Sequence, residues 1–165
     1  MDGNEEMILD ELFSFARTIM DEYGIYPYVS FLVKDGTIVV RGFNEAKLHK
    51  NLYGGDITLM SDVVTVRKAE RSLDTNDLSD YILYSFFEPT ILGFDVAMWA
   101  RIRHFVWCVD SSSFPRHYNK IKYTPLDYLK NHPGKITIKH GIRQQEGLDL
   151  AKLAKQNKYY PDNLY

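Results

Sequence analysis

The chain has 165 residues, of which 45% are apolar and 25% charged, a composition typical of one folded globular domain. Cys108 is the only cysteine, which excludes an internal disulfide and a metal site built from several thiolates of one chain. No apolar run approaches the ~20 residues of a membrane span, and the acidic N-terminus argues against a secretory signal, so we expect a cytoplasmic protein without membrane contact.

Charge is distributed unevenly about the net value of −2. Residues 1–62 carry 11 Asp and Glu against 5 Lys and Arg, whereas residues 116–158 carry 10 Lys and Arg against 3 Asp and Glu. A basic C-terminal third could meet a phosphate-bearing partner such as RNA. The alternative is a solvated helical face that complements the acidic half of the same protein.

The first half of the chain predicts a helix, a hairpin and a second helix. Apolar residues recur at three- and four-residue spacing up to Gly24, which indicates an amphipathic helix. Asp35-Gly36 is typical of a two-residue hairpin turn. The predicted elements are, in order, a helix over 5–23, strands over 28–33 and 37–42, a loop over 44–62 and a helix from near Val66.

The second half alternates buried strands with helices. Pro89 suits the first turn of a helix, because its missing N–H does no harm there, and Thr124-Pro125 is a helix start with a hydroxyl cap. Alternation of this kind predicts an α/β three-layer fold. The elements are a strand over 81–86, a helix from Pro89 through Trp99, a strand over 103–109, a helix from Thr124, a strand over 134–139 and a helix over 145–156.

Two segments carry a resemblance to a known family. Lys68-Ala69-Glu70 and Pro89-Thr90-Ile91-Leu92-Gly93 resemble the His-x-Glu and Pro-Cys-x-x-Cys signature of the zinc-dependent cytidine and purine deaminases. In that family a histidine and two cysteines hold the zinc, a glutamate moves protons, and the two segments start neighbouring helices. Further segments resemble the branch of tRNA adenosine deaminases and bacterial guanine deaminases: Pro27, 31–36, 41–44, 99–102 and 131–134, within a resemblance that covers roughly 7–156.

The resemblance implies a three-layer α/β/α cytidine-deaminase-like fold, with a central five-stranded mixed sheet flanked by helices. It implies a single domain over residues 1–165, with a core at about 7–156 and a C-terminal tail at 157–165. Family members usually form dimers through the helices that follow the motifs, so we expect a homodimer. Pairing with an active deaminase subunit is the other assembly that the resemblance allows.

The departures from the signature fall on the metal ligands. Lys68, Thr90 and Gly93 stand at the three ligand positions, and a protonated lysine, a threonine and a glycine do not form a zinc site. We therefore expect no metal and no other cofactor. The resemblance leaves Glu70 as a vestigial proton shuttle and gives Asn44, Ala69 and Lys68 as substrate-binding residues.

Several roles stay open at this stage. Lys68 either pairs with Glu70, and by extension Asp95, or extends into solvent from an apolar pocket. Asn44 either binds a ligand or closes a turn. His104 and Cys108 would lie about 13 Å apart on a strand, too far for one metal. The other histidines suggest no rebuilt metal site: His49, His117, His132 and His140. Three aromatic residues belong either to the core or to a base-stacking surface: Phe87, Phe94 and Trp99.

The sequence thus predicts a catalytically degenerate deaminase-like protein that acts as a binding or subunit-partner protein. Its partners would be a nucleobase, a nucleotide or RNA, and a second protein chain. The alternative is a metal-free hydrolase acting on a nucleobase, nucleoside or RNA base, with Glu70 as general base and Lys68 stabilising a developing anion.

Overall fold

A computed structural model describes residues 3–46, 48, 56, 58–113 and 123–156, so the tail predicted at 157–165 lies outside it. Within these residues the chain forms five helices and five strands. They are α1 (Gly3–Tyr23), β1 (Val29–Lys34), β2 (Thr37–Phe43), α2 (Ser61–Leu73), β3 (Ile82–Phe87), α3 (Ile91–Trp99), β4 (His104–Val109), α4 (Pro125–Asn131), β5 (Thr137–Lys139) and α5 (Gln144–Gln156).

The five strands form one mixed sheet, as predicted, and their order in it is β2-β1-β3-β4-β5. β1 is antiparallel to both β2 and β3, whereas β3, β4 and β5 are parallel. The β1–β2 hairpin turns at Asp35 and Gly36, whose φ angles of 48° and 71° are those of the primed turn that Asp-Gly favours. The predicted hairpin is confirmed.

Helices cover both faces of the sheet. α1 and α5 pack on one face, over Phe31 and Val33 of β1, while α2, α3 and α4 pack on the other, over Leu32. This alternation follows from the period of two in a strand, which sends neighbouring side chains to opposite faces. The predicted three-layer α/β/α architecture is confirmed.

Two boundaries differ from the predictions. α2 begins at Ser61, five residues before the predicted start near Val66, because polar residues taken for a loop are buried against the sheet. Ser61, Asp62 and Thr65 are only 6%, 5% and 0% exposed. β5 is confined to Thr137–Lys139 instead of the predicted 134–139.

The remaining helix predictions hold, except that α3 begins at Ile91 after the cap residue Thr90, so Pro89 precedes the helix instead of lying in its first turn. Thr124 caps α4 and exchanges hydrogen bonds with Asp127 in a capping box, with Pro125 in the first turn. Of the helices within the described residues, none combines the length and the apolarity that crossing a membrane would require.

Candidate functional site

The first turns of α2 and α3 meet beside the end of β3. Met60 is the N-cap residue of α2 and Thr90 that of α3. The Thr90 hydroxyl donates a hydrogen bond to the Met60 sulfur at 3.1 Å and accepts one from the Gly93 amide at 3.1 Å. The two helix starts are therefore joined directly through their caps.

Within the same first turns, Gly93 of α3 lies against Asp62 of α2. A Cβ atom added to Gly93 would lie 2.8 Å from both Cβ and Oδ2 of Asp62, closer than real Cβ contacts allow. Thr90 thus faces Met60, and Gly93 faces Asp62. The absence of a side chain at position 93 is what lets α3 approach α2 at this point.

The carboxyl of Asp62 is buried and hydrogen-bonded. Its exposed fraction is 5%, and the Ser85 hydroxyl on β3 donates to Oδ1 at 2.6 Å. Burial raises the pKa of Asp62 to about 6, because the charged form loses its hydration, although hydrogen bonds from Ser85, Ser30 and its own backbone lower that pKa. At neutral pH an ionised carboxylate here is costly, and a protonated one is favoured at mildly acidic pH.

A second buried pair continues this polar network toward β1. The Thr65 hydroxyl donates to the backbone carbonyl of Ser30 at 3.1 Å and lies 2.7 Å from the Ser30 hydroxyl. Gly42 on β2 leaves room for α2, since a Cβ there would lie 2.1 Å from the Thr65 hydroxyl oxygen. Four polar side chains under α2 are thereby satisfied without water contact.

Comparisons with known proteins agree with this arrangement. Guanine deaminase of Bacillus subtilis is 33% identical over 75 residues, which make up 46% of this chain and only 45% of that protein. Among solved structures, the guanine deaminase from Nitrosomonas europaea has a TM-score of 0.72 at 17% identity, covering 89% of this chain and 82% of its own. The chain has the cytidine-deaminase-like fold.

Other structures with the deaminase-like fold give the same result. A structure of a tRNA:A34 deaminase, from work on A-to-I editing at the wobble position of transfer RNA, has a TM-score of 0.63 at 20% identity and covers 82% of this chain and 91% of its own. The structure of the Bacillus subtilis guanine deaminase has a TM-score of 0.61 at 19% identity, with coverage of 100% and 99%. No protein-family model matches the chain.

Lys68 lies away from the junction between the two helices of the deaminase-like fold. Its ammonium pairs with Glu45 Oε1 at 2.7 Å and lies 5.5 Å from the centre of the Phe43 ring, with 45% of the side chain exposed. Because residues two apart on a helix point in different directions, the Lys68–Glu70 pair does not form. The expected grouping of Lys68 with Thr90 and Gly93 is wrong.

The site roles predicted for Ala69 and Glu70 depended on the same late start of α2. Ala69 is 0% exposed and packs in the core between α2 and the sheet. The substrate contact expected of its side chain is therefore not available. Glu70 lies eight residues after Asp62, about 12 Å further along the helix axis at a rise of about 1.5 Å per residue. Its backbone carbonyl accepts the amides of Asp74 and Thr75 at the end of α2.

The sequence did contain a signal for the earlier helix start. Asp62 stands just before Val63, Val64 and Val66, and an acidic residue ahead of an apolar run is typical of a first helical turn. The polar composition of this segment favoured a loop in spite of that signal, so the sequence did not point to Met60 and Asp62. Ser30 and Ser85 had no local signal, because each lies in an otherwise apolar strand.

Asn44 closes a turn after β2. Its side-chain oxygen accepts the Ala46 amide at 2.9 Å, and its own amide donates to the Tyr28 carbonyl at 2.9 Å. This is the second of the two interpretations left open for Asn44. A ligand-binding role for Asn44 stays a prediction.

The aromatic candidates divide into core and surface. Phe87 and Phe94 are 5% and 1% exposed and pack in the two core clusters, so base stacking by them is wrong. Trp99 is 87% exposed at the end of α3. Only the last of the three is available to a ligand or a partner.

The histidines that the structure describes have local partners, and the cysteine is buried. His104 Nδ1 lies 2.6 Å from the Thr137 hydroxyl, His140 Nδ1 lies 3.0 Å from Asp110 Oδ1, and the His132 ring stacks on Tyr128. Burial raises the pKa of the Cys108 thiol to about 12, so it is not a thiolate. His49 and His117 lie outside the described residues.

The residues at the α2–α3 junction do not fit a zinc ion. A zinc site in proteins takes several thiolate, imidazole or carboxylate donors, whereas Met60 offers a thioether, Thr90 a hydroxyl and Gly93 no side chain. The one carboxylate at the junction, Asp62, already accepts a hydrogen bond from Ser85. Across residues 3–46, 48, 56, 58–113 and 123–156, no three or more His, Cys, Asp or Glu side chains are arranged to hold a metal ion. The donor set at this junction therefore carries no metal-assisted step.

Proposed function

We propose that this protein is a catalytically degenerate deaminase-like protein that acts as a non-catalytic binding or subunit-partner protein. The observation that carries the proposal is the junction of α2 and α3, where Met60 meets Thr90 and Asp62 meets Gly93. In this proposal Met60-Ser61-Asp62 takes the place of the His-x-Glu of the deaminase signature, and Thr90 and Gly93 take the places of its two cysteines. All three metal donors are thereby absent.

The chemistry of Asp62 also argues against deamination. A carboxyl that moves protons has to come within hydrogen-bond reach of the reacting atoms, about 2.6–3.2 Å. Asp62 is 5% exposed, one methylene shorter than glutamate, and already accepts a hydrogen bond from Ser85. Without a metal to lower the pKa of a bound water from about 15.7 toward 7, a buried carboxyl alone would be a very slow catalyst.

The competing proposal is a metal-free hydrolase with Glu70 as general base. It requires an accessible pocket around Glu70, which sits in the third turn of α2, and no contact of Glu70 within the described residues favours it. Metal and ammonia measurements separate the two proposals.

Purified protein is expected to contain less than about a tenth of a zinc ion per chain, because the donor set fits no zinc. A ligand that binds the native state should raise the melting temperature in proportion to ln(1 + [L]/Kd). We expect such a shift with at least one compound from a panel of nucleobases, nucleosides, nucleotides and short RNAs, without release of ammonia. One tightly bound zinc per chain, or steady release of ammonia, would overturn the proposal.

The outer face of α3 supports the subunit-partner part of the proposal. Leu92 and Trp99 are 41% and 87% exposed. They are seven residues apart and so share one face of α3, with Asp95 between them. Asp95, Trp99, Arg101 and Arg103 border an open groove of about 350 Å³. An exposed tryptophan beside both acidic and basic groups suits a twofold interface, where each patch meets its own copy.

Trp99→Glu is therefore expected to convert a dimer into a monomer. Loss of a central tryptophan typically costs 2 kcal/mol or more of binding free energy, so the dimer dissociation constant should rise on the order of 30-fold. Sedimentation equilibrium over a concentration series measures this directly. Met7→Glu is the matched control, because Met7 is 63% exposed on α1, outside this patch.

A wild-type protein that stays monomeric at every concentration would contradict the homodimer, and so would an unchanged constant for Trp99→Glu. If the wild-type protein is monomeric, the remaining assembly is a heterodimer in which Trp99 contacts an active deaminase chain.

The basic C-terminal third has partners inside the protein. Lys139 pairs with Glu5 at 3.0 Å, and Arg143 pairs with Asp10 at 2.6 Å and with Glu146. The pairs with Glu5 and Asp10 join the C-terminal third to α1, as the alternative of internal charge complementation expects. RNA binding and a cytoplasmic location remain proposals, and the RNA arm of the ligand panel tests the first of them.

A further inference from the structure

The start of α2 lacks the usual means of fixation. Met60, its N-cap residue, makes no side-chain hydrogen bond to the first-turn amides. A helix start of this kind is held by whatever its first turn contacts. In this chain those contacts are made by Asp62, by Thr65 and by the approach of Gly93.

Asp62 connects α2 to the sheet. Its carboxyl accepts a 2.6 Å hydrogen bond from Ser85 on β3, and the next turn of α2 reaches β1 through the 3.1 Å bond from Thr65 to the Ser30 carbonyl. Removal of one partner from a buried hydrogen bond leaves the other unsatisfied, which makes such contacts costly to break. These two bonds fix the first two turns of α2 on the sheet.

Gly93 connects α3 to the same carboxyl. The space that a side chain at position 93 would need is filled by Cβ, Cγ and Oδ2 of Asp62. The volume between the two helix starts is therefore occupied by a protein side chain. We propose that Asp62, seated against Gly93 and bonded to Ser85, is a structural joint that replaces a metal ion in holding the starts of α2 and α3 to the sheet.

This proposal rests on the proposed function in one respect, that the junction of α2 and α3 stands where the deaminase signature would hold its metal. The coupling of Asp62 to Gly93 can be measured whether or not the protein keeps any activity. It makes Asp62 and Gly93 a pair of positions that exchange volume. In the natural arrangement, a side chain at position 93 fits only if the one at position 62 is shortened or displaced. A double-mutant cycle measures that coupling.

Gly93→Ala in the otherwise natural chain is expected to raise the equilibrium constant for unfolding roughly tenfold or more, because overpacking destabilises the folded state. In an Asp62→Ala background, where Cβ remains, the loss should be partly relieved. In an Asp62→Gly background the loss should vanish or reverse, because alanine is then simply the better helix former. Urea denaturation followed by circular dichroism measures each variant.

Gly147→Ala is the matched control for this cycle. Gly147 is also a tightly packed helical glycine, since an added Cβ would lie 2.4 Å from Val109 Cγ2, but its neighbours are on β4. Its cost should be the same in natural and Asp62→Gly backgrounds, as for separate sites. Equal costs of Gly93→Ala in all backgrounds would overturn the proposal.

A second measurement keeps the proposal testable if Asp62→Gly does not fold. The natural chain should show the same denaturation midpoint after dialysis against EDTA as after dialysis against zinc, because the joint contains no metal. A midpoint that falls with EDTA and returns with zinc would overturn the proposal without deciding whether the protein binds nucleobases.

Discussion

Asp62→Asn is expected to make the protein more stable than the natural chain at pH 7.5, by up to about 3 kcal/mol. Burial raises the pKa of Asp62 from its ordinary 3.8 to about 6. Between those two pH values the folded state keeps a proton that the unfolded chain has released. The free energy of unfolding therefore falls as pH rises through this window and stays low above it.

The magnitude follows from the proton affinity. Each tenfold change in the proton affinity of a group is worth about 1.36 kcal/mol. Folding raises the proton affinity of the Asp62 carboxyl about a hundredfold, which sets the upper limit of about 3 kcal/mol. Asparagine has nearly the same shape, keeps an oxygen that can accept from Ser85, and never ionises. The gain should therefore shrink as the pH falls and approach zero only below about pH 3.8, where the aspartate is mostly protonated in both states.

Urea denaturation of both proteins from pH 4 to pH 8 gives the difference in unfolding free energy at each pH, so that contributions from other groups cancel. Asp95→Asn is the control, because it makes the same substitution at an exposed carboxyl on α3. A difference curve for Asp62→Asn that is flat across this range would show that the carboxyl is not buried as the structure has it.

The second large effect is the creation of a zinc site by four substitutions. Met60→His, Asp62→Glu, Thr90→Cys and Gly93→Cys together place the deaminase signature at the junction of α2 and α3. The new side chain at position 93 must displace its neighbour, at a cost of about 1–3 kcal/mol. Zinc bound by thiolates and imidazole contributes roughly 10–16 kcal/mol, so the metal should win.

Elemental analysis should find one zinc per chain in the fourfold variant, and EDTA should lower its melting temperature. The matched control keeps Met60 and Asp62 and carries Lys68→His with the same two cysteines. Position 68 lies six residues beyond Asp62, about 9 Å along the helix, so its imidazole cannot share an ion with positions 90 and 93. Equally tight zinc binding by both variants would contradict the placement of the junction.

Local patterns accounted for much of the fold. The spacing of apolar residues in α1, the Asp35-Gly36 turn and the Thr124 cap each act within a few residues, so the sequence alone predicted them. The order of short resemblances along the chain predicted the five-stranded sheet and its covering helices. These features depend on contacts that are close in sequence or on a pattern repeated over the whole chain.

The candidate site was predicted only in part. Thr90 and Gly93 do lie at a helix start that faces a neighbouring helix, but their partners are Met60 and Asp62 instead of Lys68 and Glu70. The error came from the start of α2, where polar residues suggested solvent.

What the sequence by itself determined was the set of elements and their order, because helix periods, turns and caps are encoded locally. Only the tertiary structure decided which residues of α2 meet α3. The buried side chains in the first turns of α2 are hydrogen-bonded by hydroxyls of two distant residues. Ser85 is 23 residues from its partner Asp62, and Ser30 is 35 residues from its partner Thr65. No local pattern reports hydrogen bonds at that separation, and without them Asp62 resembles any exposed carboxylate.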